Sequence, residues 1–306
     1  LPKVGRISLT YALTDAGTVR TEYTIVRRGE QDYYLVSAGA WTDYDRDNLV
    51  KSAQDFMAAG GEYVHVQDVT TQWGVFALAG PESRNILARM IRDAEPATAL
   101  SNKRFPWLSM RNIELGMVPV MAIRVAYTGE LGWELHHPIE MQNHLFDKLI
   151  AAGEPSGMKL VGARAQNWLR QEKSYRAFGT ELGRDATPLE AGLDRFVDLG
   201  KEFRGKAAMQ AKGIRSTCVT LLIDGPADAD PWGREALFLD GEKIGRLTSG
   251  GYSAAFGKQI GMGYVRPDLA TPGTKLQVRM FRELYDAVVT EDSPHDPQNA
   301  RIRVDG

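Results

Sequence analysis

The stretch VPVMAIRVAYTGELGWELHHP, residues 118–138, restricts the fold more than any other part of the chain. It opens as a strand. Val118, Val120 and Ala122 alternate with Met121, Ile123 and Val125, so both faces are apolar, as in a strand buried on both sides. Thr128-Gly129-Glu130 breaks it with a turn signal. A second short strand covers 133–136 and stops at Pro138. Two readings are open. One is a core hairpin with a solvated tip, since turns are commonly polar. The other is the edge of a pocket, with a carboxylate carried between aromatic residues.

The chain has 306 residues, which fits two or three domains better than one. Net charge is −2 and no basic block points to nucleic acid or a membrane surface. No apolar run is long enough to cross a bilayer. The single cysteine, Cys218, excludes an intramolecular disulfide and a multi-cysteine metal site. It suits a reducing compartment, so the cytoplasm is expected, or the mitochondrial matrix in a eukaryote. The first residues, Leu1-Pro2-Lys3, lead directly into a strand-like pattern, and the chain is expected to continue a longer polypeptide.

Residues 6–26 read as a β-hairpin around the turn Thr14-Asp15-Ala16-Gly17. Simple alternation puts Val19, Thr21, Tyr23 and Ile25 on one face, and Arg20, Glu22, Thr24 and Val26 on the other. A strand at 33–38, a helix at 42–58 and a strand at 63–69 complete a small α+β unit. A strand at 73–79 turns through Gly80-Pro81 into a helix, and 94–112 carries little regular signal. Helices are expected at 139–152 and 162–175, an ordered connection at 179–200, and a short helix ending near 212. From Ser216 onward strand signals recur at 218–223, 235–239, 243–248, 261–265, 276–280 and 287–290. Asp240-Gly241 marks a tight hairpin, and the module is all-β, sandwich or barrel.

Phosphate-binding glycine loops are absent. His136 and His137 are adjacent, so in a strand they point to opposite faces and make a poor metal pair. Glu22 sits mid-strand. It is either an exposed carboxylate paired with Arg20, worth little, or one held toward a cleft to meet a cationic amine or move a proton. Glu134 follows Trp133. If partly buried it needs a partner, and it suits a ligand offering two adjacent N–H groups. Tyr127 is placed to close over such a ring. The run Arg170-Gln171-Glu172-Lys173 reads by default as a charged helix surface. Tyr175 and Arg176 follow it, either reaching a pocket or packing.

These segments together resemble the aminomethyltransferase (glycine cleavage T-protein) family. GTVRTEYTIV, WGVFALAGPES, AYTGELGWEL, LRQEKSYRAFGTEL, ATPLEAGL, KEFRGKAAM and the final EKIGRLTSGGYSAAFGKQIGMGYV follow its order. PKVGRISLTYAL and LRQEKSYRAFG are most similar to the folate half of dimethylglycine and sarcosine dehydrogenases. The resemblance implies an α+β, three-domain cloverleaf around a central folate pocket. Residues 1–72 would be the rest of a first domain, 73–212 a ferredoxin-like domain, and 213–306 a β-barrel. It implies an enzyme using tetrahydrofolate, a methylated amine as one-carbon donor, and FAD in an upstream domain or subunit. By motif, Glu22 matches the catalytic acid, Glu134 would grip the pterin's amino-pyrimidine edge, Tyr127 and Tyr175 would line the pocket, and Thr24 would border the ring. Two departures stand out. The family's catalytic Asp is Glu22 here, and its folate-contacting Arg is Gln166, with Arg164 nearby. The alternatives are a stand-alone methyl- or aminomethyltransferase and a non-catalytic folate-binding scaffold. The scaffold branch usually carries a cysteine motif near KEFRGKAAM, which this chain lacks.

Overall fold

The computed structural model describes residues 1–226 and 228–305. In chain order the elements begin with β1 (Ile7–Leu13), β2 (Val19–Arg27), β3 (Tyr33–Val36) and α1 (Thr42–Ala58). Then follow β4 (Trp73–Ala79), α2 (Ser83–Ala88), α3 (Pro96–Ala99), β5 (Met110–Leu115), β6 (Val118–Ile123), β7 (Gly132–Pro138), α4 (Gln142–Gly153), α5 (Ala163–Glu172) and α6 (Lys206–Lys212). The last part is β8 (Thr217–Ile223), β9 (Ala236–Leu239), β10 (Glu242–Ser253), β11 (Lys258–Val265), β12 (Lys275–Met280) and β13 (Glu283–Val289). They form a three-stranded sheet β1-β2-β3, a four-stranded sheet β4-β7-β6-β5, and a closed six-stranded barrel β10-β11-β8-β13-β12-β9. This is the expected α+β cloverleaf ending in a barrel.

The four-stranded sheet carries helices on one face. Trp133 and Leu135 of β7 and Val118, Val120 and Ala122 of β6 are sealed into a core with Leu87, Leu145 and Leu149 from α2 and α4. The alternate residues of β7, Glu134 and His136, therefore point to the opposite face. That face meets the three-stranded sheet. Ile7 and Val26 of the first sheet and Met121 and Ile123 of the second share one apolar cluster, with Tyr34 and Trp73 packed against it. The register places Ile7 and Tyr34 opposite Val26, and Glu134 opposite Ile123.

Several expectations change. Residues 63–69 do not form a strand. Their main chain finds no neighbouring strand, and Tyr63 is 81% exposed. Within the span read as a loop, Met110 to Asn112 begin β5, an edge strand whose exposed Asn112 obscures the apolar alternation. The opening strand of the hairpin ends at Ile123, and 124–131 is irregular.

The most consequential change is in β2. Leu13 pairs with Val19 but Ala12 pairs with Thr21, so Arg20 is an extra residue and the register shifts. Arg20 is thereby turned toward α1, where its Nη1 donates to Asn48 Oδ1 at 2.7 Å. Tyr23, two residues beyond Thr21, meets the same Asn48 at 3.4 Å. The simple alternation is broken, and Arg20 does not flank Glu22.

Candidate active site

Beyond the bulge, Glu22 lies directly opposite Tyr11, and Thr24 opposite Leu9. Directly opposed residues share a face, and this is the face that Val26 and Tyr34 press against the second sheet. The Tyr11 phenol bears on the Glu22 carboxylate. Burial raises Glu22 to a pKa of about 7, and the phenol only partly offsets it. Burial, with the Glu22 charge second, drives the Tyr11 phenol far above its ordinary value, so Tyr11 keeps its proton. A carboxyl group that is half-ionised near neutrality is suited to moving protons.

Glu134 approaches from the facing sheet. Its side chain is 30% exposed, and Oε2 lies 3.4 Å from His136 Nε2. The other ring nitrogen, Nδ1, sits 3.1 Å from the Tyr34 hydroxyl. His136 is fully buried. With the proton on Nε2, it donates to Glu134 and accepts from Tyr34, which fixes the carboxylate's direction. Among the described residues no donor reaches Glu134 Oε1. An acid with one oxygen held and the other free can accept from a ligand.

Tyr127 and Tyr175 lie against each other. Their rings stack at 5.9 Å and 21°, and the Tyr127 hydroxyl donates to the Arg176 carbonyl at 3.4 Å. Burial raises the phenol of Tyr127, with Arg170 opposing and the Glu22 charge adding to it. That link brings Tyr127 into the field of Glu22. Tyr175 follows α5 through Ser174, whose φ of +53° turns the chain sharply.

The residues before that turn are not a helix surface. Arg170, Gln171, Glu172 and Lys173 are all buried where α5 meets the barrel. Arg170 donates to Glu181 at 2.8 Å and to Ser249 at 2.6 Å. Glu181 also accepts from Thr248 and Ser249. Burial alone would raise its carboxyl, but Arg170 and these hydrogen bonds outweigh burial and hold it low. Each buried charge has a partner, so the default reading of an exposed charged face fails here.

Gln166 is exposed on α5. Arg164 does not replace the family's arginine. It is bidentate to Asp230 at 2.6 and 2.8 Å and lies between Trp168 and Trp232. The sequence reading also missed Tyr11, Tyr34 and His136. For His136 a signal existed, because Glu134 and His136 are two apart on one strand. For Tyr11 the bulge hides it.

Two comparisons with sequence families cover nearly the whole chain. Residues 2–201 match the GCVT N-terminal domain, and residues 217–296 match the glycine cleavage T-protein C-terminal barrel domain. The chain belongs to the glycine cleavage T-protein family. It is 34% identical to rat mitochondrial dimethylglycine dehydrogenase over 100% of the chain, which spans 35% of that relative. It is 28% identical to an aminomethyltransferase of Natranaerobius thermophilus over 94% of the chain and 76% of the relative. The fold matches the crystal structure of the Bartonella henselae glycine cleavage aminomethyltransferase T with a TM-score of 0.81. That match has 24% identity and covers 100% of this chain and 79% of the other. The chain thus spans about a third of the length of the dimethylglycine dehydrogenases it matches.

Proposed function

We propose that this chain is the tetrahydrofolate-dependent one-carbon-transfer unit of a demethylating enzyme that oxidises an N-methylated amine with an upstream flavin domain or subunit. Its three units would be residues 1–72, 73–212 and 213–306. In a eukaryote it would work in the mitochondrial matrix, otherwise in the cytoplasm. The observation that carries this reading is the pair of carboxylates presented by two facing sheets, Glu22 beside Tyr11 and Glu134 beside His136, with Tyr127 of the Tyr127–Tyr175 stack in the field of Glu22. The likeness to dimethylglycine dehydrogenase supports the oxidase-linked branch.

The donor set fits a folate. Glu134, steadied through Oε2 and free at Oε1, would accept the paired N–H groups of an amino-pyrimidine edge. Tyr127 and Tyr175 would supply flat apolar surface, and Thr24 would border the ring. Gln166 would bring an amide in place of a charge. Tetrahydrofolate, when bound, supplies the amine that accepts the one-carbon unit. Glu22, protonated about half the time near pH 7, would hold a proton for an amine nitrogen or take one from it. The Tyr11 phenol keeps that carboxylate oriented.

The test is turnover of the full protein with and without tetrahydrofolate. The expected result is methylenetetrahydrofolate in place of free formaldehyde, with loss of that product in Glu22→Gln. Formaldehyde release indifferent to tetrahydrofolate would refute the proposal. The likeness to the Natranaerobius thermophilus aminomethyltransferase, of which 76% is covered, favours a second reading, a stand-alone aminomethyltransferase. One-carbon transfer in the absence of any flavin would select it.

A further inference from the structure

A cleft of ≈ 250 Å³ has Tyr11, the cross-strand neighbour of Glu22, in its wall. Its charged lining is unbalanced. Arg20, Lys201 and Arg204 face one acid, Asp198. Arg204 is held only loosely, 3.6 Å from the exposed Asp15. Among the described residues no carboxylate lies within ion-pair distance of Arg20 or Lys201. Arg20 is the extra residue of the β2 bulge. Asn48 fixes one end of its guanidinium, while its Nε is buried without a hydrogen-bond partner. Phe196, in the same wall, meets the Tyr11 ring edge-on at 5.6 Å and carries the Arg195 guanidinium 4.9 Å from its ring centre. Arg195 too has no ion pair among the described residues. Four cations therefore stand around a small cleft, three of them without a counter-charge. Arg195, Lys201 and Arg204 are exposed to water while Arg20 is partly buried with its Nε unpartnered, so the cleft presents a positive field that draws an anion in.

We propose that this cleft is a carboxylate-binding subsite, with Arg20, Lys201 and Arg204 as its cations and Arg195 at its edge. Tyr11, the cross-strand neighbour of Glu22, forms part of its wall and is the link between the cleft and the acid. The inference rests on the proposed one-carbon transfer at Glu22. Two sources offer this chemistry: the carboxylate of an amino-acid-type donor, and the glutamyl end of tetrahydrofolate.

Lys201→Met with Arg204→Met tests it, because both side chains are exposed and the fold does not depend on them. Calorimetry on the full protein would compare N-methylglycine with methylamine, and tetrahydrofolate with 6-methyltetrahydropterin, which lacks the glutamyl tail. We expect the double variant to lose about tenfold in affinity for one carboxylate ligand of these pairs and nothing for its counterpart lacking the carboxylate. A loss confined to N-methylglycine assigns the cleft to the donor. A loss confined to tetrahydrofolate assigns it to the folate tail. Equal affinities of wild type and variant for all four ligands would overturn the subsite. Failure of wild type to bind either pterin would instead overturn the proposed function, whatever the cations do.

Discussion

At the scale of single residues, two carboxylates behave differently because their surroundings differ. Glu134 is half-buried, steadied by one histidine and open on its other oxygen. Replacing it with Gln keeps the shape but removes the charge, and should weaken tetrahydrofolate binding by about 1–3 kcal/mol. Calorimetry checks this, and unchanged affinity would remove Glu134 from the pocket. Glu22 is destabilised by its own charge. Unfolded, it ionises near 4.5; folded, near 7. Between those values the folded chain binds more protons, so stability falls as pH rises through that window and the full cost is present above it. Glu22→Gln should therefore raise the melting temperature at pH 8, by an amount on the order of 1–3 kcal/mol in stability, and change little at pH 4. An equal shift at both pH values would show that Glu22 carries no such penalty. The residue types at 22 and 134 were legible from sequence. The neighbours that tune them were not, since Tyr11 and Tyr34 come from other strands and their approach is set by register.

At the scale of elements, the strongest periodic segments emerged where expected. These are the 6–26 hairpin, the helix over 42–58 and the strands of the terminal barrel. Asp240 and Gly241, with φ of +50° and +80°, make the tight hairpin that the dipeptide announced. The failures have a shared cause. Residues 63–69 have strand-like composition but no partner, and a strand is a property of a pair of segments. The run 170–173 has surface composition but is covered by the barrel, which local sequence does not reveal. In each case tertiary contact overrode the local pattern.

At the scale of the whole molecule, Arg170 ties the parts together. From α5 it reaches Glu181 in the connection and Ser249 in β10, and it also donates to the Tyr175 carbonyl at 2.7 Å. One side chain thus holds the stacked tyrosine's backbone, the connection and the barrel in a single arrangement. Arg170→Met would leave Glu181 buried without its cation, and should cost about 3–5 kcal/mol. Denaturant unfolding checks the loss. Ser249→Ala should cost less, since Glu181 keeps Arg170 and Thr248. If Arg170→Met were no worse than Ser249→Ala, Arg170 would not be the tie. The cloverleaf itself was legible through resemblance, but the dependence of its centre on this buried pair was not.

The bulge at Arg20 makes the site sensitive to counting. Side chains of a strand change sides with every residue, so the spacing between the Thr14–Gly17 turn and Glu22 decides which side of the sheet receives the acid. Most substitutions in that turn leave the spacing intact. A one-residue shift of the pairing would swing Glu22 from Tyr11 toward α1 with its chemistry unaltered and its address wrong. In this hairpin a change of pairing register does more to the site than a change of residue type.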